Sequence, residues 1–141
     1  YIDVASGWIE QATLTASDGF DNDDFGTAVD VSRDWVIVGS PGYHGSLSGM
    51  VKNALDYAEQ LRGDARPYFD GIPVGLVATA GGWQAAVSTL VALRTVIHAL
   101  RGWPTPLGVA INTGPGTGDA VAEAAPQLGI MVDQILGFLR R

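Results

Sequence analysis

The chain has 141 residues, enough for one domain and too few for two of ordinary size. Hydrophobic residues make up 47 % and charged residues only 16 %, which excludes an intrinsically disordered chain. A net charge of −7 excludes attraction to nucleic-acid phosphates or an anionic membrane as the basis of partner choice, and the absence of cysteine excludes a disulfide framework and a thiolate metal site.

The first thirty-odd residues are the least regular. Ile2, Ala5, Trp8 and Ile9 fit one helical face, Ala12 to Ala16 reads as a short strand, and an acidic stretch follows with Asp18, Asp21, Asp23, Asp24, Asp30 and Asp34. An EF-hand starting at Asp21 fails at Phe25 and Ser32, so the aspartates read as a solvated surface. From Trp35 the chain becomes rhythmic. Trp35-Val36-Ile37-Val38 is a continuous apolar run closed by glycine and proline, the pattern of a strand buried on both faces. Ser48 to Leu61 places Val51, Leu55 and Ala58 at helical spacing, with Ser48 as cap and Gly63 as terminator. Val74 to Ala78 is a second buried strand. Gln84 to Leu100 is a helix apolar on most sides, predicted to lie buried against a sheet or a subunit. Pro106 to Ile111 is a third strand, and Leu128, Met131, Val132, Ile135, Leu136 and Leu139 mark a final helix beginning near Pro126. Strand and helix alternate, which predicts an α/β fold with a parallel sheet. No apolar run is long enough to span a bilayer, and 62–71 is a loop rather than a linker, so residues 1–141 read as a single domain.

Chemistry concentrates at two strand ends. Gly39 to Gly49 holds four glycines in eleven residues together with Tyr43 and His44, and opens a helix. The carboxyl ends of strands in open α/β sheets are where ligands bind, because loops diverge there and helix amino ends present free N–H groups. Glycines also allow a flat ligand to approach the backbone; the alternative is a turn that needs glycine for geometry alone. Thr79-Ala80-Gly81-Gly82-Trp83-Gln84 ends the next strand, and the two loops suggest two walls of one planar site. Trp83 fits such a wall and equally a core or subunit contact. Gly45-Ser46-Leu47-Ser48-Gly49 is not a nucleophile elbow, because Leu47 holds the central position. Gly114-Pro115-Gly116-Thr117-Gly118 has neither dinucleotide-binding nor P-loop spacing and reads as a mobile loop. His98, within the apolar helix, reads as a packing residue, and Lys52 as solvated or paired across a subunit contact. No catalytic side chain and no metal ligand is expected.

Val36 to Ser46, Ser48-Gly49 and Lys52-Asn53-Ala54-Leu55-Asp56, followed by Ala78-Thr79-Ala80-Gly81-Gly82 and Leu93-Arg94-Thr95-Val96, resemble the NADPH-dependent FMN reductase family. The resemblance implies a flavodoxin-like parallel sheet flanked by helices and an NAD(P)H-dependent flavin reductase. FMN would lie against Ser40, Pro41, Gly42, Tyr43, His44, Gly45, Ser46 and Ser48, and close to Thr79, Gly81, Gly82 and Trp83. It also implies NADPH or NADH as donor; free flavin, a quinone or a flavin-dependent oxygenase as acceptor; a homodimer or homotetramer; and a cytoplasmic setting. Two departures stand out. Gly42 occupies a position where the family commonly has a larger residue, which predicts a looser loop. Nothing matches the family's first strand and phosphate-binding loop, and the chain begins with Tyr1 rather than Met, so it is expected to be incomplete at its amino end. On that view Tyr1 to Gln11 is the tail of the first helix, with a degenerate strand at Tyr1 to Val4 as the other reading. Two further classes stay open: an FMN-binding electron carrier of flavodoxin type, and a non-catalytic interaction module.

Overall fold

A computed structural model describes residues 34–141 in full and residues 2–4, 7–9 and 29–31 through their backbone pairing. Strands β1 (Ile2–Val4) and β2 (Gly7–Ile9) pair antiparallel, Ile2 opposite Ile9. This corrects both readings of the amino-terminal stretch: a small hairpin stands where a helix tail or a member of the parallel sheet was expected. The strand expected over Ala12 to Ala16 and the aspartates from Asp18 to Asp24 lie outside the described residues.

The main sheet is built on β4 (Val36–Tyr43) and β6 (Pro73–Ala80), paired in parallel from Val36 with Val74 to Pro41 with Thr79. Their near-continuous apolar runs are what burial on both faces requires. Val36 and Val38 are almost fully buried, as are Val74 and Leu76. β7 (Trp103–Pro104) and β8 (Val109–Asn112) add to β6 in parallel, at its first two and its last four residues. Thus the predicted parallel centre is present. Two antiparallel pieces extend it, β3 (Val29–Val31) along Val36 to Val38 and β5 (Ser46–Leu47) along Gly42 and Tyr43.

Helices cover both faces. Helix α1 (Gly49–Asp56) starts where Ser48 accepts a hydrogen bond from the Val51 N–H, as its position ahead of the apolar period predicts. The expected helix to Leu61 changes form after Asp56 and continues as a 3-10 helix over Tyr57–Gly63. Helix α2 (Trp83–Ala99) buries Ala86, Thr89, Leu93 and Ile97, while Val87 and Val91 are 49 % and 58 % exposed. It is therefore amphipathic rather than buried all round, and the expected burial holds for one face. His98 lies on the exposed side, so it is not the packing residue expected. Leu55, Leu93 and Ile97 meet Val36, Val38, Val74 and Leu76 on this face of the sheet. After β8 the chain forms the single turn α3 (Ala120–Glu123) and then α4 (Ala125–Leu139), whose Met131 packs with Val109, Ile111 and Val77 on the opposite face. The result is helix on sheet on helix, with both apolar faces of the sheet covered. No helix among the described residues is long and apolar enough to cross a membrane.

Candidate functional site

The register of β4 and β6 places Pro41 directly beside Thr79, so the two glycine-rich segments leave the sheet side by side at its carboxyl edge. The first segment does not simply loop out. Gly42 pairs with Leu47 and Tyr43 with Ser46, and the turn between them has φ of 51° at His44 and 87° at Gly45. Two positive φ values in a two-residue hairpin form the type I′ turn, which glycine adopts freely and histidine more readily than most side chains. Tyr43, His44, Gly45 and Ser46 are all exposed on this turn.

Behind it the segment is tied down. Ser40, 3 % exposed, accepts a hydrogen bond from the Ser48 N–H (3.0 Å), closing the loop at its base. Its hydroxyl donates to the Pro41 carbonyl (2.9 Å). Gly42 fits against α2 so closely that a Cβ there would stand 2.5 Å from Thr89 Oγ1 and 3.2 Å from the Ala85 carbonyl oxygen. The looser loop expected from glycine at this position is thus corrected: its missing side chain allows the hairpin to seat tightly on the helix.

The second segment runs through Ala80, Gly81 and Gly82 into α2, whose N-cap, Gly82, gives no side-chain hydrogen bond. The first bond into the helix runs from Ala86 N–H to the Gly82 carbonyl, leaving the preceding N–H groups without intrahelical partners. Between this helix start and the hairpin turn lies an open depression of about 350 Å³, lined by Gly45, Gly81, Gly82, Gln84, Ala85 and Ser88. No charged side chain lines it. A Cβ at Gly45, Gly81 or Gly82 would meet nothing within 4 Å, so the glycine walls are bare backbone facing open space.

Of the predicted site residues, Gly45, Gly81 and Gly82 converge on the depression. Tyr43, His44, Ser46 and Trp83 stand exposed on the same two segments, Trp83 at 61 %, and so Trp83 is not a core residue. Ser40, Pro41, Gly42, Ser48 and Thr79 do not line it; they form the frame beneath, where Ser48 also caps α1. Gln84 closes the second predicted wall, whereas Ala85 and Ser88 escaped the sequence reading. Their signal was the helical period running on from Gly81, which puts small or polar residues on one face of an otherwise apolar helix.

A third loop braces the site. Thr113 N–H donates to the Ala80 carbonyl (2.8 Å), and a Cβ on Gly114 would meet the Gly81 carbonyl oxygen at 2.9 Å. Gly114 N–H bonds Asn112 Oδ1 (3.0 Å) and the Thr117 hydroxyl donates to the Gly114 carbonyl (2.7 Å). Within the segment expected to be mobile, Gly114 packs against Gly81 and bonds Thr117, while Pro115, Gly116 and Gly118 are exposed. Lys52 likewise pairs with Asp56 of its own helix.

The sequence profile of the NADPH-dependent FMN reductase family matches residues 28–116, which span all three loops up to Gly116. FMN-dependent NADPH-azoreductases from Staphylococcus aureus strains USA300 and NCTC 8325 are each 38 % identical over 82 residues, covering 58 % of this chain and 40 % of theirs. The chain thus spans about two fifths of the length of these curated relatives. An oxidoreductase from Corynebacterium diphtheriae, solved by X-ray crystallography, shares the fold at a TM-score of 0.55 and 23 % identity, over 72 % of this chain and 53 % of that one.

Proposed function

Because the chain belongs to the NADPH-dependent FMN reductase family, we propose that it reduces flavin with NAD(P)H, through an FMN held at the carboxyl edge of its sheet. The observation that carries this is the depression between the hairpin turn and the start of α2, lined by Gly45, Gly81, Gly82, Gln84, Ala85 and Ser88. Its bare glycine walls allow a flat ring system to approach the backbone closely. Bound FMN would supply the redox chemistry, accepting hydride from NADPH or NADH and passing electrons to free flavin, a quinone, an azo compound or a flavin-dependent oxygenase.

The protein's own task is position and solvent exclusion. Tyr43, His44, Gly45 and Ser46 border the ring from one side and Gly81, Gly82 and Trp83 from the other. Ser40, Pro41, Gly42, Ser48 and Thr79 hold the two walls in register. The unpaired N–H groups at the start of α2 aim positive partial charge at whatever occupies the depression. No side chain is required as acid or base. Exposed Trp83, Val87 and Val91, at four-residue spacing on α2, supply an apolar stripe suited to a homodimer or homotetramer contact. We place the protein in the cytoplasm, in keeping with its lack of cysteine.

The test is direct. The purified chain should take up FMN with a visible absorption band and oxidise NADPH or NADH when FMN is added. Binding without turnover would favour the flavodoxin-type carrier, and absence of both would favour the interaction module.

A further inference from the structure

We propose that Thr89 is a positioning residue of this site, a peg in helix α2 that sets where the Tyr43–Ser46 turn stands relative to the helix start. The proposal rests on the flavin reading above and deepens it by naming what holds the two walls of the site at their separation.

Thr89 is wholly buried in the middle of a helix, at a position where an aliphatic side chain would pack without a polar atom to satisfy. A hydroxyl inside a helix ordinarily turns back to the carbonyl four residues earlier. Two other hydroxyls of α2 do so: Ser88 donates to Gln84 and Thr95 to Val91. Thr89 instead donates to the Ser46 carbonyl (3.2 Å), across 43 residues of sequence. The donor, Thr89 Oγ1, is also the atom that a Cβ on Gly42 would strike, at 2.5 Å. Gly42 lies in one leg of the hairpin and Ser46 in the other, so a single side chain touches both legs.

This contact has work to do because β5 is only two residues long and its only strand partner among the described residues is β4, so Leu47 packing on the core and the bond to α2 must supply the rest of its support. The turn it carries includes His44 at a φ of 51°, a conformation that persists only where its surroundings enforce it. Ala85, one helical turn before Thr89, and Ser88, the residue next to it, line the depression, while Gly45 lines it from the hairpin turn. The peg therefore ties the hairpin that carries one wall to the helix that carries the other.

The experiment compares Thr89→Val, which keeps the shape and removes the donor, with Thr89→Ser, which keeps the donor. It adds Gly42→Ala alone and in a Thr89→Ala background. The readouts are the amide NMR signals of Gly45 and Ser46, the FMN dissociation constant by fluorescence titration, and the melting temperature as a control. Thr89→Val should displace the turn signals and weaken FMN about tenfold, the equilibrium equivalent of one hydrogen bond lost. Thr89→Ser should restore most of the affinity even where its melting temperature is lowered. Gly42→Ala should weaken FMN in the wild-type background and clearly less once Thr89 is Ala, because the obstructing oxygen is gone. If Thr89→Val binds FMN as wild type does, if the Ser and Val variants lose affinity equally, or if Gly42→Ala costs the same in both backgrounds, the proposal is overturned. Should Thr89→Val not fold, the Ser variant and the Gly42 pair decide by the same criteria. Should the wild-type chain itself bind no FMN, the flavin reading fails. The turn signals then decide alone: displacement by Val and not by Ser upholds the peg, and no displacement overturns it.

Discussion

Ser48 shows how much one side chain carries at the base of the candidate site. Its hydroxyl caps α1 by accepting from Val51 N–H at 3.2 Å, while its own N–H donates to Ser40 Oγ at 3.0 Å. Replacing Ser48 by Ala removes the first bond and keeps the second, so the expected loss is about 1 kcal/mol, the usual value of an N-cap. Ser40→Ala keeps the cap but strands a buried N–H, which costs about 1–3 kcal/mol. Urea denaturation of the two variants should therefore rank Ser40→Ala as the more damaging; the reverse order would mean that the cap, not the loop closure, holds this segment. The cap was legible in the sequence because its partners lie within three residues. The fit of Gly42 against Thr89 and of Gly114 against Gly81 was not, since each joins segments more than thirty residues apart and leaves no local pattern. Glycine at position 42 suggests slack, yet it makes a close contact, and Gly114 packs against Gly81.

At the level of elements, the apolar runs that became β4, β6 and β8 and the periods that became α1, α2 and α4 were readable from one-dimensional pattern. Burial on both faces writes a continuous run, and burial on one face writes a helical period. What pattern could not separate on α2 was the inner face from the outer, because both carry aliphatic residues. The structure separates them: Leu93 and Ile97 are fully buried, whereas Val87 and Val91 are exposed. Leu93→Ala should destabilise the chain by about 2–5 kcal/mol, as truncations of a core leucine do. Val87→Lys with Val91→Lys should change the stability of the monomer by no more than about 0.5 kcal/mol per site, the range of ordinary surface changes. If α2 forms the subunit contact, the same double substitution should shift the mass measured by light scattering to that of the monomer. An unchanged oligomer would remove α2 from the contact.

For the molecule as a whole, the net charge of −7 sets the field that every incoming nucleotide meets. FMN and NADPH are anions, and the depression proposed to receive the ring has no charged lining to draw them in. Several of the basic groups are engaged elsewhere: Lys52 with Asp56, Arg62 with Glu59, and Arg94 with the Thr105 and Pro106 carbonyls. Long-range repulsion should then slow association at low ionic strength. Raising salt from about 10 mM to about 150 mM shortens the Debye length from about 30 Å to about 8 Å, so distant carboxylates stop contributing while contacts within the site persist. Stopped-flow measurement should find the FMN association rate rising with salt across this range and the dissociation rate nearly constant, because steering acts on encounter rather than on the formed complex. A falling association rate would mean that attraction local to the site outweighs the global charge. The source on this chain's geometry is then the positive end of α2, and substituting Gln84 by Glu in its first turn would reduce that attraction and flatten the salt dependence.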